Sequence, residues 1–121
     1  MQTILFAGME TVSIENLMRT LRSDEFNVHH VLEVEELLQK CITDKNIDLM
    51  LLDINFSGHD SAHLVKQLRC LCNEHIRIVL VGEYTFMAMS LAVHAGFDEF
   101  IARPVGEDAI RALLKGKNEY T

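Results

Sequence analysis

Apolar residues along this chain fall into short runs, and the runs alternate between two periods. "TILFA", residues 3–7, is a continuous strand-like run, and Ser13 then stands as a cap to a stretch whose apolar positions, Ile14, Leu17, Met18 and Leu21, recur at helical spacing. "FNVHHVL" (26–32) predicts a second strand and "EVEELLQKCITDK" (33–45) a second helix. "IDLMLL" (47–52) predicts a third strand that stops at a carboxylate, Asp53, before a turn at Ser57–Gly58. A third helix is expected from Asp60 to Leu71, with Ala62, Leu64, Val65 and Leu68 inward, followed by the strand "IRIVLV" (76–81). "TFMAMSLAVHAG" (85–96) predicts a helix ended by Gly96. "EFIA" (99–102) is the fifth strand, and beyond the sole proline, Pro104, "EDAIRALLKG" (107–116) is the last helix.

Strict alternation of strands with helices demands a parallel sheet. "LMLL" and "IVLV" are continuously apolar, so those strands are covered on both faces. The expected fold is therefore α/β: one doubly wound, flavodoxin-like (βα)5 domain over residues 1–115 with a five-stranded parallel sheet. Residues 116–121 read as a tail or the start of a linker to an output domain. In such sheets a site lies beyond the carboxyl ends of the strands, which is where Asp53 stands.

Composition narrows the function. The chain has 121 residues, and its net charge of -7 comes from eighteen acids against eleven scattered Lys and Arg, which excludes a phosphate-binding nucleic-acid surface. No apolar run reaches the length of a membrane span, and the amino terminus lacks the basic and apolar regions of a leader, so a soluble cytoplasmic protein is expected. Three cysteines, Cys41, Cys70 and Cys72, fit a reducing compartment. "CLCNEH" (70–75) gathers two thiols and His75, yet no second Cys/His pair completes a zinc site, and small core or surface thiols are the simpler reading. His59 and His63, four apart, could likewise share a metal, but solvated histidines are favoured because no third ligand is assigned.

"DLMLLDINFSGHDSAHLVKQLR" (48–69) and "HAGFDEFIARPV" (94–105) resemble the receiver domain of two-component response regulators, with the similarity running from about Thr3 to Leu114. The resemblance implies that Asp53 is the phosphoacceptor. It also implies an acidic pair after the first strand to hold Mg²⁺, a hydroxyl ending the fourth strand, an aromatic on the fifth and a Lys at its end. Phosphoryl transfer to a carboxylate depends on such positioning and charge neutralisation. Here Gly8 and Met9 occupy the acidic pair, leaving Glu10 with Asp53 as metal candidates, and Gly82 (Val81 by a gapless count) stands for the hydroxyl. Phe100 keeps the aromatic and Arg103 replaces the Lys, with its charge in a planar fork.

The expected function is that of an atypical, non-enzymatic receiver. Phosphorylation at Asp53 is weak or absent, the cofactor is none or weakly bound Mg²⁺, and signalling runs through protein contacts. No Asp, Glu, Lys or Arg lies between Thr85 and Phe97. Phe86, Met87, Met89, Leu91 and Val93 cannot all share one buried face, so they are interface candidates. In receivers the face of the fourth helix, fifth strand and fifth helix makes dimer and output contacts. A homodimer or an output domain is expected there, with a histidine kinase or other signalling protein as partner. The alternative is a working receiver phosphorylated on Asp53 by a histidine kinase and regulating a transcriptional output, with Glu10 as metal ligand and Arg103 in the Lys role. A third class, a small flavin-binding or hydrolytic enzyme, finds only Gly8, Thr11 and Ser13 as a weak phosphate cradle and no Ser–His or Cys–His arrangement.

Overall fold

A computed structural model gives the fold and describes residues 1–56 and 60–119. Ser57, Gly58 and His59, and with them the His59/His63 pairing, lie outside the described residues. The elements run β1 (Thr3–Ala7), α1 (Thr11–Ser23), β2 (Asn27–Val31), α2 (Val34–Thr43), β3 (Ile47–Asp53), α3 (Ser61–Leu71), β4 (Arg77–Gly82), α4 (Phe86–Ala95), β5 (Glu99–Ala102) and α5 (Glu107–Glu119). The five strands form one parallel sheet in the order β2-β1-β3-β4-β5. The direction of winding reverses between β1 and β3, and the crevice over their carboxyl ends is where this architecture places ligands.

Strand alternation divides the core. Leu5, Ala7, Met50, Leu52, Ile78 and Leu80 face α2, α3 and α4, meeting Leu37, Cys41, Leu64, Val65, Leu68 and Ala92. Ile4, Phe6, Leu49, Leu51, Val79 and Val81 point the other way, onto Ile14, Met18 and Leu21 of α1 and Ile110 and Leu114 of α5. Both faces are covered by helices, which is why the central strands read as unbroken apolar runs.

Two boundaries depart from the sequence reading. α1 begins at Thr11, two residues ahead of Ser13, after an extended Glu10 whose side chain makes no capping bond. The Ser13 hydroxyl instead donates to the Glu10 carbonyl at 2.7 Å, so it sits inside the first turn. α5 continues to Glu119, so the residues expected to open the tail begin as helical backbone. Leu91, an interface candidate, is partly buried and packs against the core beside Ala92. The other ends follow expectation: Asp60 accepts from the His63 amide at 2.9 Å, Thr85 accepts from Ala88 at 3.1 Å, and Gly96 closes α4 at φ +94°.

Arg69 of α3 fastens the start of β5. It donates to Ile76 O at 3.2 Å, Gly96 O at 3.0 Å and Asp98 Oδ2 at 2.7 Å, while Asp98 also accepts from the Ile78 amide at 2.8 Å. Among the described residues no helix is long and apolar enough to cross a membrane. Urea denaturation should show Leu51→Ala, at a fully buried position, losing about 2–5 kcal/mol of stability. Leu32→Ala, at a position 54% exposed, should move it by under about 0.5 kcal/mol.

Candidate functional site

β3 delivers Asp53 to the crevice with only 7% of the residue exposed. A carboxylate so placed has to be hydrogen-bonded and charge-compensated. The chain supplies both. The Asn55 amide donates to Asp53 Oδ1 at 2.8 Å, and Arg103 Nη1 donates to Oδ2 in an ion pair. Arg103 is aimed by its backbone, since its amide donates to Gly82 O at 2.9 Å and extends the β4–β5 pairing by one residue. Its Nε donates to Glu83 Oε1 at 3.1 Å, so one guanidinium bridges two carboxylates. The Glu83 side chain is 74% exposed, so the bond to Asp53 is the one that matters energetically.

Around this pair lies a cleft of about 520 Å³, lined by Gly8, Met9, Glu10, Ser13, Ile14, Asp53, Asn55, Arg103, Pro104 and Val105. Gly8 has φ +89°, a conformation that favours glycine. A Cβ built there would lie 2.2 Å from the Phe56 ring. The aromatic occupies the space into which any side chain at position 8 would project. Met9 points inward and is 4% exposed within the α1-side core, and its carbonyl accepts from His30 Nε2 at 2.7 Å. Glu10 is exposed at the cleft edge. A hard divalent cation takes several oxygen ligands, and the side chains facing the cleft offer it the carboxylates of Glu10 and Asp53: Gly8 has no side chain, Met9 is turned into the core, and Arg103 already engages Asp53. Among the described residues no three His, Cys, Asp or Glu side chains are grouped to hold a metal ion.

Gly82 ends β4 beside this cleft, and Val81 pairs across the sheet with Asp53. A Cβ on Gly82 would meet Ile54 Cγ2 at 3.0 Å, so the position is crowded as well as lacking a hydroxyl. Phe100, on β5, is half-buried against the α3–α4 side of the core and lines a hollow with Tyr84, Met89 and Phe97.

Residues 4–115 match the response regulator receiver domain family. The chain belongs to that family. Solved structures with the same fold include a two-component response regulator from Clostridium difficile, 21% identical with a TM-score of 0.84, covering 98% of this chain and 97% of that one. A response regulator from Burkholderia pseudomallei, with a phosphorylated aspartic acid, calcium ion and citrate, is 21% identical with a TM-score of 0.81, covering 99% of this chain and 71% of that one. The receiver domain of the sensor histidine kinase PA1611 from Pseudomonas aeruginosa, with a magnesium ion in its active site cleft, is 18% identical with a TM-score of 0.78, covering 95% of each chain. No curated protein matches the sequence.

As a receiver, the chain brings Asp53, Arg103, Gly8, Met9 and Glu10 into one crevice, as the resemblance implies, and sets Gly82 at its rim. Two participants escape a reading of the sequence. Glu83 shares Arg103, and its only signal is its place one residue past the end of β4. Phe56 closes over Gly8, and its only signal is an aromatic three residues after Asp53, in a segment otherwise read as a turn.

The tie between Gly8 and Phe56 is testable against Gly96, which has a similar positive φ but nothing within 4 Å of a built Cβ. Gly96→Ala should cost roughly 1–2 kcal/mol, the conformational penalty alone. Gly8→Ala should cost clearly more by urea denaturation, and adding Phe56→Ala should recover the excess. Equal costs at the two glycines would rule the packing argument out.

Proposed function

We propose that this receiver domain is an interaction module whose aspartate crevice is filled and neutralised by its own side chains. Phosphorylation at Asp53 is weak or absent, Mg²⁺ is bound weakly or not at all, and the domain catalyses no reaction of its own. The observation that carries this reading is the Phe56 ring seated over Gly8, where the family's acidic pair begins. Arg103 supports it, because an incoming phosphoryl group must displace or share a guanidinium already bound to Asp53 and Glu83. The C. difficile, B. pseudomallei and P. aeruginosa structures carry the same fold, and the proposed difference lies in the few side chains around the acceptor. Intact mass spectrometry after incubation with acetyl phosphate and Mg²⁺ should show no phosphoryl adduct. An adduct that Asp53→Asn abolishes would replace this reading with that of a working receiver addressed by a histidine kinase.

Signal then passes through contacts in the cytoplasm, and the surface offered is α4. Phe86, Met89 and Val93 recur at helical spacing as one outward stripe, with Met87 and Tyr84 beside it. Phe86, Met87 and Val93 are 86%, 81% and 75% exposed, and the helix carries no Asp, Glu, Lys or Arg. Apolar area of this kind is stabilised by cover, and methionine adapts to varied partner shapes. The partner is a second copy or an output domain, reached through α4, β5 and α5. Sedimentation of the chain at high concentration should show self-association that Met87→Glu or Val93→Glu weakens at least tenfold. A monomer at all concentrations would leave an output domain as the occupant of this face.

A further inference from the structure

At the opposite end of the strands from Asp53, a second reactive group is assembled from α2 and α3. Cys41, fully buried, projects from α2 into the core. Cys72, partly buried, caps α3, with its amide donating to Leu68 O at 2.8 Å, and packs against the same apolar cluster. The two thiols are neighbours at this cluster, Cys41 within it and Cys72 packed against it, and neither is in a disulfide. Their meeting is fixed by bonds between the two helix ends. Lys45 Nζ donates to Leu71 O at 2.6 Å, and Asn73 Nδ2 donates to Lys45 O at 2.8 Å and Ile47 O at 3.1 Å. A pair of thiols held together this way, half sealed from water, is more than two incidental core cysteines.

We propose that Cys41 and Cys72 form a peroxide-responsive dithiol site that closes to an intramolecular disulfide between α2 and α3. Cys72 is the attacking sulfur, because it is the one that solvent reaches. Its thiol is pushed to lower pKa by the hydrogen bond from Cys41, against the opposing effect of burial, with the Lys45 and Arg69 charges adding to the shift. Cys41 is pushed up by the same bond and by burial, so it stays protonated and acts second. In the first step Cys72 sulfur attacks one oxygen of hydrogen peroxide: an S–O bond forms, the O–O bond breaks, and the departing hydroxide leaves as water with the thiol proton. In the second, Cys41 sulfur attacks the sulfenic acid: the S–S bond forms, the S–O bond breaks, and a second water carries away the Cys41 proton. The two thiols together lose two electrons, and the peroxide is reduced to water.

Cys70, exposed on the same helix, is the internal comparison. The experiment treats the whole chain with hydrogen peroxide at a small molar excess, then unfolds it, alkylates free thiols with iodoacetamide and maps the peptides by mass. The expected product has lost the two thiol hydrogens, is alkylated only at Cys70, contains a linked peptide joining Cys41 to Cys72, and reverts with dithiothreitol. Cys72→Ser should abolish the link, and Cys41→Ala should leave a Cys72 sulfenic acid that dimedone traps. Without peroxide, Cys72 should alkylate at neutral pH faster than the more exposed Cys70. Oxidation at Cys70 while Cys41 and Cys72 remain alkylatable, or linkage only between chains, overturns the proposal. Mapping of the unsubstituted chain decides the matter even where Cys41→Ala fails to fold.

Discussion

A carboxylate at the end of a strand covered on both faces sets the terms for the rest of this molecule. Asp53 cannot rely on water, so its own chain has to furnish its donors and its counter-charge. One donor is local, the Asn55 amide. The other comes from fifty residues away and arrives only if β5 lies in register beside β4, since the Arg103 amide bonds Gly82 O. That register is held in turn by Asp98 at the head of β5, gripped by Ile78 N and Arg69. The electrostatics of the crevice are thus inherited from the sheet, and a slip of one residue in β5 would point Arg103 to the wrong face.

Two absences in the sequence turn out to be structural fits. Gly8 does not simply lack a carboxylate: its backbone and the Phe56 ring are matched, so placing an acid there without changing Phe56 meets an occupied volume. Gly82 shows the same relation to Ile54 more mildly. Both glycines are therefore packed against particular neighbours, Phe56 and Ile54. A side chain introduced at either position would be opposed by packing.

Most of the fold could be read along the chain, because covered parallel strands leave unbroken apolar runs and surface helices leave 3.6-residue stripes. Asp53 is legible for the same reason, since the apolar run of its strand stops there, while Gly82 and Arg103 are picked out only by the resemblance to receivers. What stayed hidden depends on side chains crossing between elements. Glu83 and Phe56 act by reaching over to Arg103 and Gly8, and no periodicity records such a reach. The start of α1 is not legible because Ser13, a good capping residue, lies inside the first turn and bonds backward to Glu10 instead. Which of the α4 side chains lean inward is not legible either, because the helix is so uniformly apolar that its inner stripe cannot be told from its outer one in the sequence.

That uniformity has an ionic consequence. The chain carries a net charge of -7, yet α4 is an uncharged window in this acidic surface. In the proposed self-association, two copies approaching through it would repel at long range and attract only on contact. Added salt screens the repulsion over about 8–10 Å at physiological strength and leaves the apolar burial intact, so such a contact tightens as ionic strength rises. A partner carrying a basic surface would show the opposite dependence, drawn in by the same acidic field that keeps copies apart.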